Sequence, residues 1–221
     1  FWLGLGSNTL VRDGGSSGTV IAMQGVATEL SLNKQGDVDV GASVSCAKLA
    51  KFCVKNNLKG AEFFSGIPGL VGGALAMNAG AFDGETWRHV MSVKTINRQG
   101  EINQRQADEY EVSYRTVKGH HDEWFVSVIL HFESSLDTKV SATDIKKLLA
   151  QRAASQPIGM FSCGSVFKNP KGFFAAELIE GCGLKGRRIG GAVVSEKHAN
   201  FILNDKSATA ADIELLIKMI Q

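Results

Sequence analysis

The apolar positions of this chain follow a period of two in some stretches and a helical period in others, and the switches mark its elements. Phe1-Trp2-Leu3-Gly4-Leu5-Gly6-Ser7-Asn8 reads as a strand running into a turn, and Val11 to Gly15 as a strand end with a second turn. Thr19 to Met23, Thr28 to Leu32 and Val38 to Gly41 are short β-type runs, parted by Gly25 and Gln35-Gly36. Ser45 then predicts a helix cap. Cys46, Leu49, Ala50 and Cys53 follow at i, i+3, i+4 and i+7, with Lys48, Lys51 and Lys55 on a solvated face. Asn56-Asn57 and Gly60 end that helix. Val90 to Ile96 and Glu101 to Gln104 flank Asn97-Arg98-Gln99-Gly100, a hairpin signal. Trp124 to Phe132 places Val126, Val128, Leu130 and Phe132 on one face of a long strand.

Ser134-Ser135-Leu136-Asp137-Thr138 is a polar break, and a domain boundary is expected near it. Ser141-Ala142-Thr143-Asp144 is a capping-box variant opening a helix with Ile145, Leu148, Leu149 and Arg152. In Cys163-Gly164-Ser165-Val166-Phe167-Lys168-Asn169-Pro170 a serine stands between a glycine and a short strand, with Lys and Asn after it. That pattern suits a site turn or a plain turn and strand. Phe174 to Ile179 predicts a short helix stopped by Gly181 and Gly183. Gly190 to Val194 and Asn200 to Asn204 are β-like and bracket Ser195-Glu196-Lys197-His198-Ala199. A last helix begins near Thr209, with Ile213, Leu216, Ile217 and Ile220 on one face. No internal repeat or low-complexity tract is visible.

The chain is organised around Phe64 to Ala81, where five of eighteen residues are glycine yet the run is apolar. A flexible linker would be polar. Glycine in an apolar run instead marks backbone packed closely on something, or turns with φ > 0 inside a fold. Backbone N–H groups bared of side chains are good phosphate donors where a turn feeds a helix. The two readings are a cradle for an anionic cofactor and a tightly packed turn with no ligand. Gly4 and Gly6 begin what could be a dinucleotide fingerprint, but position 9 is Thr and no helix pattern follows. Ser7 and Asn8 still suit a phosphate, or an ordinary Asx/ST turn.

A length of 221 residues suits one large domain or two small ones, and 44% hydrophobic with 21% charged residues describes a globular protein with ample core. The net charge of +2 gives no argument for nucleic acid, and no apolar run is long enough for a membrane span. The four cysteines, Cys46, Cys53, Cys163 and Cys182, show no CxxC spacing and read as buried thiols of a reducing compartment. His120-His121 invites a metal reading, but adjacent loop residues seldom ligate one ion and no third ligand is evident. No metal site is assigned.

Several segments together carry a likeness. They are Gly4-Leu5-Gly6-Ser7-Asn8, Gly66-Ile67-Pro68-Gly69 with Gly72-Gly73-Ala74 and Met77-Asn78-Ala79-Gly80-Ala81, Tyr114-Arg115, Gly164 to Pro170, and Ser195 to Phe201, in this order. With them the chain resembles the UDP-N-acetylenolpyruvoylglucosamine reductase family, in its shorter second subtype, over nearly all of its length. The resemblance implies an α+β protein: an FAD-binding domain of the vanillyl-alcohol-oxidase (PCMH-type) fold over residues 1–133, then a smaller substrate domain over 134–221. The cofactors it implies are FAD and NADPH, and the substrate is UDP-N-acetylglucosamine enolpyruvate. It places the flavin against Gly4, Gly6, Ser7, Asn8, Gly66, Ile67, Pro68, Gly69, Gly72, Gly73, Asn78, Ala79 and Gly80. Arg115 matches the arginine that stabilises the substrate enolate after hydride reaches C3, and Ser165 the donor that protonates C2. Tyr114, Arg152, Lys168 and Asn169 fall to substrate binding. The resemblance also implies a cytoplasmic monomer that binds neither nucleic acid nor membrane.

One departure stands beside the likeness. The family carries a catalytic Glu on a strand beyond the last helix, whereas this sequence stops at Gln221 inside that helix and starts at Phe1 rather than Met. The expectation is a chain truncated at both ends. Two other readings remain: a different FAD oxidoreductase of the same fold, against which Gly164 to Pro170 argues, and a non-catalytic flavin- or nucleotide-sugar-binding relative.

Overall fold

The alternation read at Val38, at Val90 and from Trp124 closes into one antiparallel sheet. The computed structural model describes residues 1–134 and 142–221. Its elements begin with β1 (Trp2–Leu3), β2 (Ile21–Ala22), β3 (Leu30–Leu32), β4 (Val38–Gly41), α1 (Cys46–Lys55), β5 (Leu58–Lys59) and α2 (Val71–Ala76). There follow β6 (Gly80–Ala81), β7 (Gly84–Glu85), β8 (Val90–Asn97), β9 (Ile102–Gln106), β10 (Glu111–Ser113), β11 (Thr116–Lys118), β12 (Glu123–Leu130) and β13 (Glu133–Ser134). The main sheet runs β3-β4-β12-β8-β9. Its register sets Val128 opposite Val40 on one side and Val93 on the other. All three are buried, and each contributes about 1.5–3 kcal/mol by leaving water. Leu49, Phe64, Val71 and Leu75 pack in the same cluster.

Ser45 caps α1 as expected, its Oγ accepting the Lys48 N–H at 3.2 Å, and Cys46, Leu49, Ala50 and Cys53 are the buried face. The long strand is shorter than the sequence predicts. A bulge lies between Phe125 and Ser127, so Val126 leaves the buried row, and its carbonyl takes the Ala42 N–H at 2.8 Å. Val11 lies in no strand; a turn there is closed by the Gly15 N–H on the Arg12 carbonyl at 2.8 Å.

Contacts divide the chain into two units: 1–5 with 20–150, and 6–19 with 151–221. α3 (Ala142–Ser155) runs from one into the other, and the cap expected at Ser141 lies outside the described residues. The second unit holds α4 (Ala175–Gly181), β14 (Arg188–Ile189), β15 (Ala192–Val194), β16 (Ile202–Asn204) and α5 (Ala210–Ile220). β14, β15 and β16 form an antiparallel meander, and Ile179, Val194, Ile202 and Leu216 fill the core between it and the helices. α4 runs past Ile179 to Gly181. It stops where Gly183, at φ 68°, donates to the Glu180 carbonyl at 2.9 Å. Thr209 caps α5 in a capping box with Asp212. Segment 6–19 is fastened to that helix. The Asp13 carboxylate accepts the N–H groups of Ala210 and Ala211 at 2.8 and 2.9 Å. Cys46 and Cys53 are buried, but Cys163 is half-buried and Cys182 exposed, so burial does not extend to all four thiols.

Candidate functional site

The glycine-rich stretch is built from a 3-10 turn over Glu62–Gly66, a loop, α2 and β6. Its glycines answer different demands. Gly69 sits at φ 125°, which L side chains rarely adopt, and its carbonyl takes the Cys46 N–H at 3.1 Å. A Cβ on Gly66 would enter the ring of Phe82, and one on Gly80 would meet the carbonyl of Gly84. A Cβ on Gly72 would lie 3.0 Å from that of Ala42. These are packing glycines. Gly73 is different: a Cβ there meets nothing within 4 Å, and the residue is exposed. Ile67 is buried and Pro68 exposed in the loop between. The N–H groups of Val71 and Gly72 donate to Val44 and Ala42 carbonyls, both at 2.9 Å. The first donors of α2 therefore face protein, not a ligand.

A cavity of about 190 Å³ opens against this backbone, within the first unit. Gly4, Gly72 and Gly73 form part of its wall, with Trp2, Glu123 and Trp124. Trp2 and Trp124 stack, their ring centroids 5.3 Å apart and planes at 23°. Glu123 is 8% exposed and takes Arg105 in a two-pronged pair, Nε at 3.1 Å and Nη2 at 2.5 Å. That pairing holds its carboxyl below the usual range, and Thr95 Oγ1 adds a third donor at 2.5 Å. Bare glycine backbone, flat aromatic faces and a neutralised carboxylate fit a flat cofactor with an anionic linker. Sequence reading did not find Glu123, Trp2 or Trp124 as lining. Their partners lie far away in the chain, and periodicity reports only which face a residue takes.

Asn78 and Ala79 hold this stretch to its surroundings. Asn78 is buried at φ 41°, and its Oδ1 accepts the Trp87 N–H at 3.1 Å. Its Nδ2 donates to Glu85 Oε2 at 3.3 Å and to the Ser113 carbonyl at 3.4 Å. Ala79 offers its carbonyl to Thr86, N–H at 3.1 Å and Oγ1 at 2.7 Å. Ser113 closes the hairpin of β10 and β11 by pairing with Thr116, which leaves Tyr114-Arg115 as its two-residue turn. Arg115 takes φ 50°, and its guanidinium lies 5.6 Å from the centroid of the exposed Tyr114 ring.

The remaining predicted residues lie in the second unit. Gly6 sits at φ 71° in a turn closed by the Thr9 N–H on the Gly6 carbonyl at 3.1 Å, with Ser7 and Asn8 between them. No helix follows it, in keeping with the rejected dinucleotide fingerprint. The Cys163 thiol donates to the Thr9 carbonyl at 3.1 Å, which sets this turn beside the Ser165 run. That run is not a strand. Ser165 makes an isolated antiparallel bridge with Phe201, after Gly164 at φ 80°. Asn200 fixes Phe167 in place, accepting its N–H at 2.8 Å and donating to its carbonyl at 2.9 Å. Lys168 is exposed. Asn169 Oδ1 takes the Ala175 N–H at 3.0 Å, capping α4. Arg152, in the last turn of α3, reaches Gln156 Oε1 at 2.8 Å, and burial pulls its pKa down. His120 bonds Glu109 at 2.9 Å, and among the described residues no cluster of three potential metal ligands occurs.

Comparison with known proteins finds a family match in each part of the chain. A family profile described as "FAD binding domain" matches residues 1–104, and one described as "UDP-N-acetylenolpyruvoylglucosamine reductase, C-terminal domain" matches 156–221. UDP-N-acetylenolpyruvoylglucosamine reductase of Legionella pneumophila (strain Corby) is 58% identical over all of this chain and 71% of its own length. The enzyme so named in Coxiella burnetii (strain Dugway 5J108-111) is 52% identical over 99% of this chain and 75% of its own. The crystal structure of UDP-N-acetylenolpyruvylglucosamine reductase from Thermus caldophilus superposes with a TM-score of 0.87 at 33% identity, covering 100% of this chain and 80% of that one.

Proposed function

This chain belongs to the UDP-N-acetylenolpyruvoylglucosamine reductase family, and from that premise we propose how its residues divide the reaction. The protein is an FAD enzyme that uses NADPH to reduce UDP-N-acetylglucosamine enolpyruvate to UDP-N-acetylmuramate, a step of peptidoglycan precursor synthesis. Bound FAD supplies the hydride chemistry between NADPH and C3 of the vinyl ether. In the first unit, Gly4, Gly66 to Gly69, Gly72, Gly73 and Asn78 to Gly80 form or brace the flavin cradle. Gly6, Ser7 and Asn8 are assigned to the pyrophosphate. The bare backbone of Gly73 beside the cavity is the observation that carries this reading.

Arg115 meets the substrate carboxylate. Once hydride has reached C3, negative charge spreads onto that carboxylate as an enolate, and a fixed cation there lowers the barrier. The guanidinium fork suits a carboxylate better than an ammonium does. Ser165 gives a proton to C2. A hydroxyl is a weak acid, so the transfer relies on the basicity of the enolate and on accurate placement. Tyr114, Arg152, Lys168 and Asn169 bind the UDP-sugar, with Asn169 doing so from beside the start of α4. By role we assign residues 1–133 to the flavin and 134–221 to the substrate, a division by function that differs from the division by contacts, which groups 6–19 with 151–221. The protein acts as a cytoplasmic monomer and takes no nucleic acid or membrane as partner; among the described residues no helix is long and apolar enough to cross a membrane.

Anaerobic stopped-flow absorbance tests this reading. NADPH should bleach the flavin and the UDP-sugar should restore its colour. A protein that stays colourless after reconstitution with FAD, or is bleached but not reoxidised by the enolpyruvyl sugar, overturns it.

A further inference from the structure

Ser195 to Phe201 carries none of the roles above, yet it is built as a rigid clasp. Ser195 Oγ accepts the N–H groups of Lys197 and His198 at 3.1 and 3.2 Å, and His198 Nδ1 accepts the Asn200 N–H at 3.3 Å. His198 also packs edge-on against the Phe201 ring, with centroids 4.9 Å apart. These contacts leave the Asn200 side chain facing the Ser165 run, and Asn200 is only 4% exposed.

The Asn200 carboxamide pairs with both polar groups of one peptide residue, taking the Phe167 N–H and giving to the Phe167 carbonyl. Its own backbone carbonyl takes the Val166 N–H at 2.9 Å. Three bonds thus replace the strand ladder that the Ser165 run lacks, since Ser165 lies in no strand and meets Phe201 in an isolated bridge. Gly164 just before it sits at φ 80° with nothing within 4 Å of its Cβ position. A buried carboxamide with both ends satisfied resists displacement, because breaking either bond leaves a polar group unpaired out of water.

We propose that Asn200 is a positioning residue for proton transfer: its paired hydrogen bonds to Phe167 hold the Ser165 hydroxyl where C2 is protonated. This rests on the assignment of Ser165 as proton donor. A hydroxyl that must protonate carbon tolerates little misplacement, and an error near 1 Å costs on the order of 100-fold. Asn200 touches neither substrate nor flavin in this role, so its loss should leave reduction by NADPH unchanged.

The test compares Asn200→Asp, Asn200→Ala and Ser165→Ala in the FAD-loaded protein, with each half-reaction followed separately in H2O and D2O. Asn200→Asp is nearly isosteric; it keeps the bond from the Phe167 N–H and turns a carboxylate oxygen toward the Phe167 carbonyl. The expected result is unaltered flavin content and NADPH reduction, reoxidation by the UDP-sugar slowed on the order of 10- to 100-fold, and a larger solvent isotope effect on that step. A merely structural role would slow both half-reactions together and leave the isotope effect unchanged. Should Asn200→Ala not fold, Asn200→Asp alone decides. Selective slowing in Ser165→Ala but not in Asn200→Asp overturns the role of Asn200 and leaves Ser165 standing. Equal slowing of both half-reactions in Ser165→Ala overturns the assignment beneath it, and the proposal with it.

Discussion

Asn78 reaches the Ser113 carbonyl through its Nδ2 at 3.4 Å, and thereby ties the end of the glycine-rich stretch to the hairpin that presents Arg115. The same side chain takes the Trp87 N–H at 3.1 Å through Oδ1. Asn78→Ala should therefore do two things. It leaves a buried Trp87 N–H unpaired, which costs about 1–3 kcal/mol of stability. It also frees the hairpin, so turnover should fall by more than flavin affinity does. Denaturant unfolding, FAD titration and steady-state rates measure these separately. Unchanged stability with turnover intact would show that Asn78 braces neither element.

Arg115 holds φ 50°, a backbone strain carried at the turn between β10 and β11. Strain of this kind costs on the order of 1–3 kcal/mol, and glycine relieves it. Arg115→Gly should raise or preserve the melting temperature while abolishing turnover. Arg115→Lys keeps the charge but not the fork, and should lose about 2–4 kcal/mol of transition-state stabilisation. An Arg115→Lys variant with ordinary kcat/KM would show that net charge alone matters there.

Much of the frame was legible in the sequence because it rests on local signals. Ser45 and Thr209 are caps whose side chains bond three residues ahead, and the faces of α1 and α5 follow a single period. Val128 and Leu130 alternate as read until the bulge at Val126, an irregularity no alternation encodes. The site was legible as motifs but not as geometry. Nothing local distinguishes Gly73, which faces a cavity, from Gly72, which faces Ala42. Glu123 and Asn200 escaped because their partners, Arg105 and Phe167, lie 18 and 33 residues away. The hairpin around Tyr114-Arg115 escaped because its turn contains neither Gly nor Asn, the usual residues of such turns.

Burial lowers the pKa of His198, and the Asn200 N–H on its Nδ1 requires the unprotonated ring nitrogen. The folded state thus disfavours the proton that the unfolded chain accepts near its ordinary value of about 6.5. Above that value neither state is charged and no penalty arises. As the pH falls from about 6.5 toward the lower folded pKa, unfolding gains a proton and stability declines. His198→Gln should flatten that part of the curve of melting temperature against pH. An unchanged slope would place the titration elsewhere.

Gly73 gives the sharpest test of the flavin cradle, because the protein itself gives no reason for a glycine there. A methyl group at that position meets nothing within 4 Å, and the residue lies inside α2, where alanine is favoured over glycine by about 1 kcal/mol. On protein contacts alone Gly73→Ala should be neutral or stabilising. If the backbone at Gly73 is bare so that the cofactor can approach it, the same methyl group occupies the cofactor's space. The apoprotein of Gly73→Ala should then melt no lower than that of the parent, while its FAD dissociation constant rises at least tenfold. Gly72→Ala is the contrast: its methyl group would press on Ala42 at 3.0 Å, so it should lower apoprotein stability directly. Calorimetry of the apoproteins and fluorescence titration with FAD separate the two variants. Parental FAD affinity in Gly73→Ala would remove that residue from the cradle and leave the cavity beside it to another ligand.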